Sequence, residues 1–351
     1  MNLNKLRASV PGTMLCLGLA VAASLLGRAF PIVGAAIFAL SGGLVLRAAL
    51  GAGKAARFLP SLQPGVAFAA KPLLQLSIVL LGAKTSLGRV AAVGAESLVV
   101  MLASLSAAFL TAWAVGRALR VEPKLAALVG TGTAICGGSA IAAAAPVLGA
   151  DESDTAYAFS VIFAFNLAAI FIFPPLGRLF GLSDPGFGLW AGTAINDTSS
   201  VVAAAYAWSS TAGDYAVVVK LARTAMIVPV TLALGFLASK GVFDRRGSRG
   251  PAVAEGGPAG TRKKVAPLPW FILAFLGASL ARSLGLIPAE LGARLADAGV
   301  FLIAAALAGI GLSTDFRRIA RTGWRPLALG LAVWAAVAAS SLGAQFLMGR
   351  G

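Results

Sequence analysis

Apolar residues in this 351-residue chain come in long blocks separated by short polar gaps. The blocks fall near residues 12–28, 30–50, 62–83, 95–116, 125–149, 156–177, 186–208, 215–239, 268–285, 298–314 and 326–348. Most are long enough for an α-helix to cross a bilayer. The pattern therefore predicts an all-α polytopic membrane protein with about 11 transmembrane helices. The blocks near 62–83, 268–285 and 298–314 are short or interrupted, which leaves ten as the other count. The first block follows Lys5 and Arg7 in the manner of a signal peptide. Because many spans follow it, it reads as a retained first helix.

Two blocks are interrupted by small polar residues in similar ways. Gly132-Thr-Ala-Ile-Cys-Gly-Gly-Ser139 leads into an alanine-rich stretch, and so does Gly192-Thr-Ala-Ile-Asn-Asp-Thr-Ser-Ser200. Paired polar interruptions in apolar segments are the usual pointer to a transporter binding site. In the first, the adjacent Gly137 and Gly138 weaken a helix and Pro146 removes a ladder donor. If the helix breaks there, N–H groups around Cys136, Gly137, Gly138 and Ser139 face a cavity and favour an anion, with Thr133 close by. Close packing through small residues is the plainer alternative.

The second interruption holds Asn196, Asp197, Thr198 and Ser199. Counted from Phe187, Asp197 lies about 15 Å deep in the apolar layer. A carboxylate at that depth is costly unless it faces protein or water, and it marks a functional site by default. A structural aspartate satisfied by its neighbours is the alternative. Lys220 and Arg223 follow at a spacing that places both on one helix face, with Arg223 at about the depth of Asp197. One carboxylate against two cations leaves a local excess of +1, which suits a bound anion. The same cations could instead serve only to balance Asp197. Asn166 and Gln75 read as interhelical hydrogen-bonding residues, and Trp190, Trp208, Trp270 and Trp324 as interface anchors.

Composition narrows the function classes. Hydrophobic residues make up 58% of the chain and charged residues only 12%. The net charge is +16, but the basic residues sit in the gaps between apolar blocks. Anionic lipid at the cytoplasmic face is therefore their expected partner, rather than nucleic acid. The chain has no histidine and two cysteines, Cys16 and Cys136. That excludes histidine-based acid–base catalysis and histidine metal ligation, and two thiols make no zinc site. No metal or other cofactor is expected.

Threaded as eleven crossings with a cytoplasmic N-terminus, the inner segments hold 21 of the 29 basic residues and the outer ones six. This agrees with the positive-inside rule and puts the C-terminus outside. Both Gly-Thr-Ala-Ile copies then run in the same direction, unlike an inverted repeat. A second echo pairs 82–94 with 311–323, at opposite membrane faces and with a different offset. Residues 244–267, rich in Gly, Pro, Ala and Arg, read as a flexible cytoplasmic linker between helices 8 and 9 of a single transmembrane domain, 1–351.

The Cys136-Gly-Gly-Ser139, Asn196-Asp197-Thr-Ser-Ser, Val219-Lys220-Leu-Ala-Arg223 and Gly311-Leu-Ser-Thr-Asp-Phe segments resemble the YeiH-like family of bacterial multi-pass membrane proteins, labelled as sulfate exporters. The chain is more distantly similar to the bile-acid/sodium symporter and sodium/proton antiporter superfamily. That resemblance implies a core of crossing, discontinuous helices beside a panel of further helices.

Together these readings give an inner-membrane secondary transporter, not an enzyme. It exports a small anion such as sulfate or an organic sulfonate, coupled to protons or sodium, with a homodimer open to it. Thr133, Cys136, Gly137, Gly138, Ser139, Asn196, Thr198, Ser199, Lys220 and Arg223 are the expected substrate ligands, and Asp197 the coupling residue. The alternatives are a cation/proton antiporter centred on Asp197 and, remotely, an intramembrane enzyme using Cys136 and Asp197 on a lipid-linked substrate.

Overall fold

The computed structural model describes residues 3–30, 34–50, 58–243, 270–314 and 323–349. The linker expected at 244–267 lies outside the described residues. Every regular element among them is helical. In chain order these are α1 Leu3–Ala29, α2 Gly34–Leu50, α3 Leu59–Phe68, α4 Leu74–Gly82, α5 Leu87–Ala118, α6 Pro123–Ala134 and α7 Gly138–Leu148. There follow α8 Glu152–Leu179, α9 Asp184–Ala194, α10 Thr198–Trp208, α11 Ser210–Ala225, α12 Ile227–Ser239, α13 Trp270–Ser283, α14 Ala289–Ser313 and α15 Trp324–Leu347. A π-helical turn at Ala69–Leu73, around Pro72, joins α3 to α4. A single turn residue, Met226, joins α11 to α12, its N–H donating to Arg223 O at 3.0 Å, so each pair forms one continuous rod.

The eleven apolar segments are all present, but two of them turn back instead of crossing. At the base of the first, Lys124 Nζ donates to Gly149 O at 3.0 Å, so the start of α6 and the end of α7 lie together. Nearer the tip, Gly132 packs on Ile141. The pair α6–α7 is thus a re-entrant hairpin. In the second, Trp208 Nε1 donates to Asp184 Oδ1 at 2.8 Å, and the Phe187 and Trp208 rings stack 4.3 Å apart. The pair α9–α10 is therefore also a hairpin. Arms of 11 or 12 residues measure about 17 Å, half a bilayer, so a return at mid-depth follows from their length. Among the described residues nine apolar rods lie outside the two hairpins, seven of them long enough to cross a membrane and α2 and α13 shorter. The hairpins correct the threading of 125–149 and 186–208 as crossings.

The hairpins enter from opposite faces. The 28-residue α8 starts beside the base of α6–α7 and ends beside the base of α9–α10, where Gly177 packs on Phe187 and Trp208. The two Gly-Thr-Ala-Ile copies are therefore inverted, not codirectional. Their register is close: adding 60 to α7 (138–148) gives 198–208, the span of α10.

Two apolar cores build the frame. One joins the hairpins to α5, α8, α12 and α15. The other gathers α1–α4, α13 and α14 and extends onto α10 and α11. Small residues let this second group pack closely. Gly12 of α1 meets the α3 backbone at Leu62 and Gly65, and Gly43 of α2 meets α14 at Ala308 and Gly311. A methyl group at either position would strike backbone atoms, the usual reason for glycine where membrane helices cross.

Candidate functional site

Both hairpin tips end helices that the sequence cannot continue. In the first, Ile135 departs from helical geometry (φ −120°, ψ −90°) and Gly137 takes φ +69°, a left-handed conformation natural to glycine. In the second, Asp197 adopts an extended conformation (φ −94°, ψ 145°) and caps α10. Gly137 lies against Asp197, so the tips meet. Both rest on the middle of α8, where Ile162 packs on Gly132 and Gly137.

Where α6 and α9 end, backbone carbonyls lose their intrahelical partners in the buried interior. Two side chains of α11 supply the donors. Lys220 Nζ donates to Ile135 O and Ile195 O, each at 2.8 Å, one carbonyl from each tip. Arg223 Nε donates to Ala134 O at 2.5 Å and Nη2 to Thr133 O at 2.9 Å, while Nη1 donates to Thr193 O of the other hairpin. Both side chains are 0% exposed. They hold the partial negative charge of two helix C-termini and tie the hairpins together.

The N-terminal ends of α7 and α10 differ from each other. Asp197 Oδ2 accepts from the Ser199 N–H at 2.9 Å and from the Ser199 hydroxyl, so α10 carries its own carboxylate. The Asp197 N–H donates to Asn166 Oδ1 at 3.0 Å. The N-cap of α7 is Gly137, which has no side chain, and the Ala140 N–H of the first turn meets the Cys136 thiol. Ser139 is exposed, Gly138 and Thr198 are half-buried, and Cys136 is buried. Thr133 and Asn196, each 1% exposed, keep the Thr133 hydroxyl and both amide atoms of Asn196 without a hydrogen-bond partner.

The sequence-predicted residues thus gather at one place, in three groups. Thr133 and Cys136–Ser139 belong to the first tip, Asn196–Ser199 to the second, and Lys220 with Arg223 to the clasp between them. Among the described residues the one ion pair is Lys84–Asp214 at 2.9 Å, well away on the base of the second hairpin, so neither cation is salt-bridged to Asp197.

Asn166, expected as an interhelical hydrogen-bonding residue, is one: from α8 it accepts from the backbone of Asp197 at the start of α10. The sequence gives no signal for Ser341, whose hydroxyl shares a 2.5 Å hydrogen bond with the Thr193 hydroxyl below the second tip. Trp190, expected at an interface, is instead 2% exposed, packs on Phe173 and donates to Ala338 O at 2.9 Å. A shallow, largely apolar groove of about 490 Å3, lined by Pro11, Leu15, Leu46, Leu50, Phe58, Ser61 and Leu62, lies on α1–α3 and touches none of these groups.

Comparison with known proteins gives a family of membrane proteins. The family model described as Conserved hypothetical protein 698 matches residues 11–330. The chain belongs to this family, whose relatives are called UPF0324 membrane proteins. One from Streptococcus pyogenes serotype M18 is 41% identical over 347 residues, 97% of each chain. One from Clostridium tetani is 37% identical over 338 residues, 95% of each chain. One from Streptococcus pneumoniae serotype 4 is 40% identical over 344 residues, 96% of this chain and 97% of the relative. The YeiH-like resemblance fits this assignment, and the chain is a multi-pass membrane protein. No solved structure matches it.

Proposed function

We propose that this protein is a secondary transporter of a small anion in the bacterial cell membrane. The observation that carries the reading is the meeting of two oppositely inserted hairpins at mid-depth, with four helix ends facing one locus. Such discontinuous helices at a repeat interface place ligand-binding backbone groups where a substrate can be reached from either face in turn. Lys220 and Arg223 neutralise the carbonyl ends and contribute positive field rather than free donors. The anion sits toward the N-terminus of α7, whose N-cap residue Gly137 brings no side chain of its own. Asp197, at the other N-terminus, is the coupling group for a proton or sodium ion.

The face holding the base of α6–α7 is cytoplasmic in this reading. Two hairpins return the chain to its own side twice, so sidedness after residue 210 is the same as for eleven crossings. Arg178 changes face and Lys71, at the π-helical turn, lies within the α3–α4 crossing, giving 19 inside against seven outside. The positive-inside bias therefore holds with nine crossings, an inner N-terminus and an outer C-terminus. Anionic lipid is the partner of the inner face.

Flux of labelled sulfate and of sulfonates into proteoliposomes, under an imposed pH or sodium gradient, tests the proposal. Gradient-driven anion flux is expected. Sodium or proton flux without anion movement, abolished in Asp197→Asn, would favour the cation/proton antiporter instead.

A further inference from the structure

The 60-residue register aligns the two tips residue by residue: Gly137 matches Asp197, and Ser139 matches Ser199. At the second tip the Ser199 N–H and hydroxyl hold one carboxylate oxygen of Asp197. At the first tip the same serine stands at the same helical position, but the residue matching the aspartate has no side chain. Ser139 is exposed, and its first-turn N–H has no intrahelical acceptor, because the first such bond of α7 runs from Ile141 N to Gly137 O at 3.2 Å. A second, independent observation points to a missing group. Asn196, 1% exposed, has neither its amide oxygen nor its amide nitrogen paired, although native interiors rarely leave such atoms unsatisfied. It lies within the contact between tips, flanked by Ile195, which shares Lys220 with Ile135, and by Asp197, which packs on Gly137.

We propose that Gly138 and Ser139 at the start of α7, together with the Asn196 amide, form the binding site for the head group of a singly charged organic oxyanion, a sulfonate or a carboxylate. The substrate's oxygen occupies at α7 the place that Asp197 Oδ2 occupies at α10. This deepens the transport reading and rests on it for the substrate's passage, though not for its binding.

The charge count selects a monoanion. Two helix N-termini and two C-termini cancel around the locus, and Lys220 and Arg223 against Asp197 leave one positive charge. A single negative charge completes that balance, whereas sulfate would overshoot it in a low-dielectric setting. The surroundings of Ser139 suit an organic tail. The Phe159 ring lies so close to Gly138 that an added methyl there would stand 2.9 Å from it, and Phe159 is itself 39% exposed. An apolar tail leaving the head group past Ser139 meets this ring.

The test is calorimetric titration of the purified full-length protein in detergent with propanesulfonate, propionate, sulfate and chloride, alongside thermal unfolding. The propanesulfonate and propionate arms decide between the two head groups. At least one should bind about tenfold or more tighter than sulfate and chloride, equivalent to about 1.4 kcal/mol. Ser139→Ala should weaken that binding about tenfold with an unchanged Tm, through loss of one charge-assisted hydrogen bond. Ser139→Asp supplies a tethered carboxylate at the same helix end and should abolish binding while holding or raising Tm. Normal binding by Ser139→Asp, sulfate or chloride binding as tight as the organic anions, or no binding by wild type would each overturn the assignment. Proteoliposome flux separates the two claims. Binding that follows this pattern without flux of any anion sinks the transport reading alone, and anion flux undiminished in Ser139→Asp sinks the site alone.

Discussion

Arg223 illustrates how a buried cation can serve the backbone. Its fork reaches carbonyl oxygens of Thr133 and Ala134 on one hairpin and Thr193 on the other. A lysine has one nitrogen and cannot span that set. Arg223→Lys is therefore expected to cost about 3 kcal/mol, read as a lowered thermal midpoint in detergent. An unchanged midpoint would show that the clasp contributes little. Asp197 makes a different prediction. Asparagine is also a good helix N-cap, so Asp197→Asn should keep α10 and the fold while removing the titratable charge. Flux in that variant should lose its dependence on the imposed pH or sodium gradient with little change in Tm; retained gradient dependence would remove Asp197 from coupling. Both residues were visible in the sequence, because charge within an apolar block is conspicuous. Their geometry was not. Depth arithmetic puts Arg223 level with Asp197 and leaves a bound anion or charge balance as its partner, whereas the cations face carbonyls that become free only because the helices stop.

At the scale of elements, the hairpins are the main departure from the sequence reading. A block such as 125–149 is long enough to cross, and hydropathy alone does not tell a crossing from two half-length arms. The information lay in the break: Gly137-Gly138 in one segment and Asn196-Asp197 in the other, each close to the middle of its block. Gly137 is the sharper case. Space for a methyl group exists beside Asp197, so the cost of Gly137→Ala comes from backbone at φ +69°. About 1–2 kcal/mol of destabilisation is expected in thermal unfolding. A neutral substitution would mean that the tip does not hold this turn. The start of α8, outside the apolar layer, carries an ordinary cap. The Asp154 N–H and the Ser153 hydroxyl hold the exposed Asp151 carboxyl below its usual 3.8. With the folded value depressed, the cap stabilises α8 above the unfolded pKa and is lost as pH falls through the folded one.

The whole molecule resolves the two echoes that no single tandem duplication explains. α6–α7–α8 and α9–α10–α11–α12 form one inverted pair, offset by 60. The other echo marks α4–α5 against α14–α15, of which residues 315–322 lie outside the described residues. These too run oppositely. Gly292 near the start of α14 meets Ala83 just past the end of α4, and Gly116 near the end of α5 meets Leu329 near the start of α15. In repeat one the chain order is α4, α5, hairpin, α8. In repeat two the hairpin and α11–α12 come first, and α14 and α15 follow. The two offsets are those of one inverted unit in two cyclic orders, a relation that chain order alone does not display.

The central claim is that both hairpins are re-entrant from opposite faces. Single cysteines placed at 122, 151, 182 and 209 in a background with Cys16 and Cys136 replaced by alanine test it, with a membrane-impermeant thiol reagent added to one side of oriented vesicles. Cysteines 122 and 151 should label from one and the same side, and 182 and 209 together from the other. Labelling of 122 and 151 from opposite sides would contradict the account and restore eleven crossings.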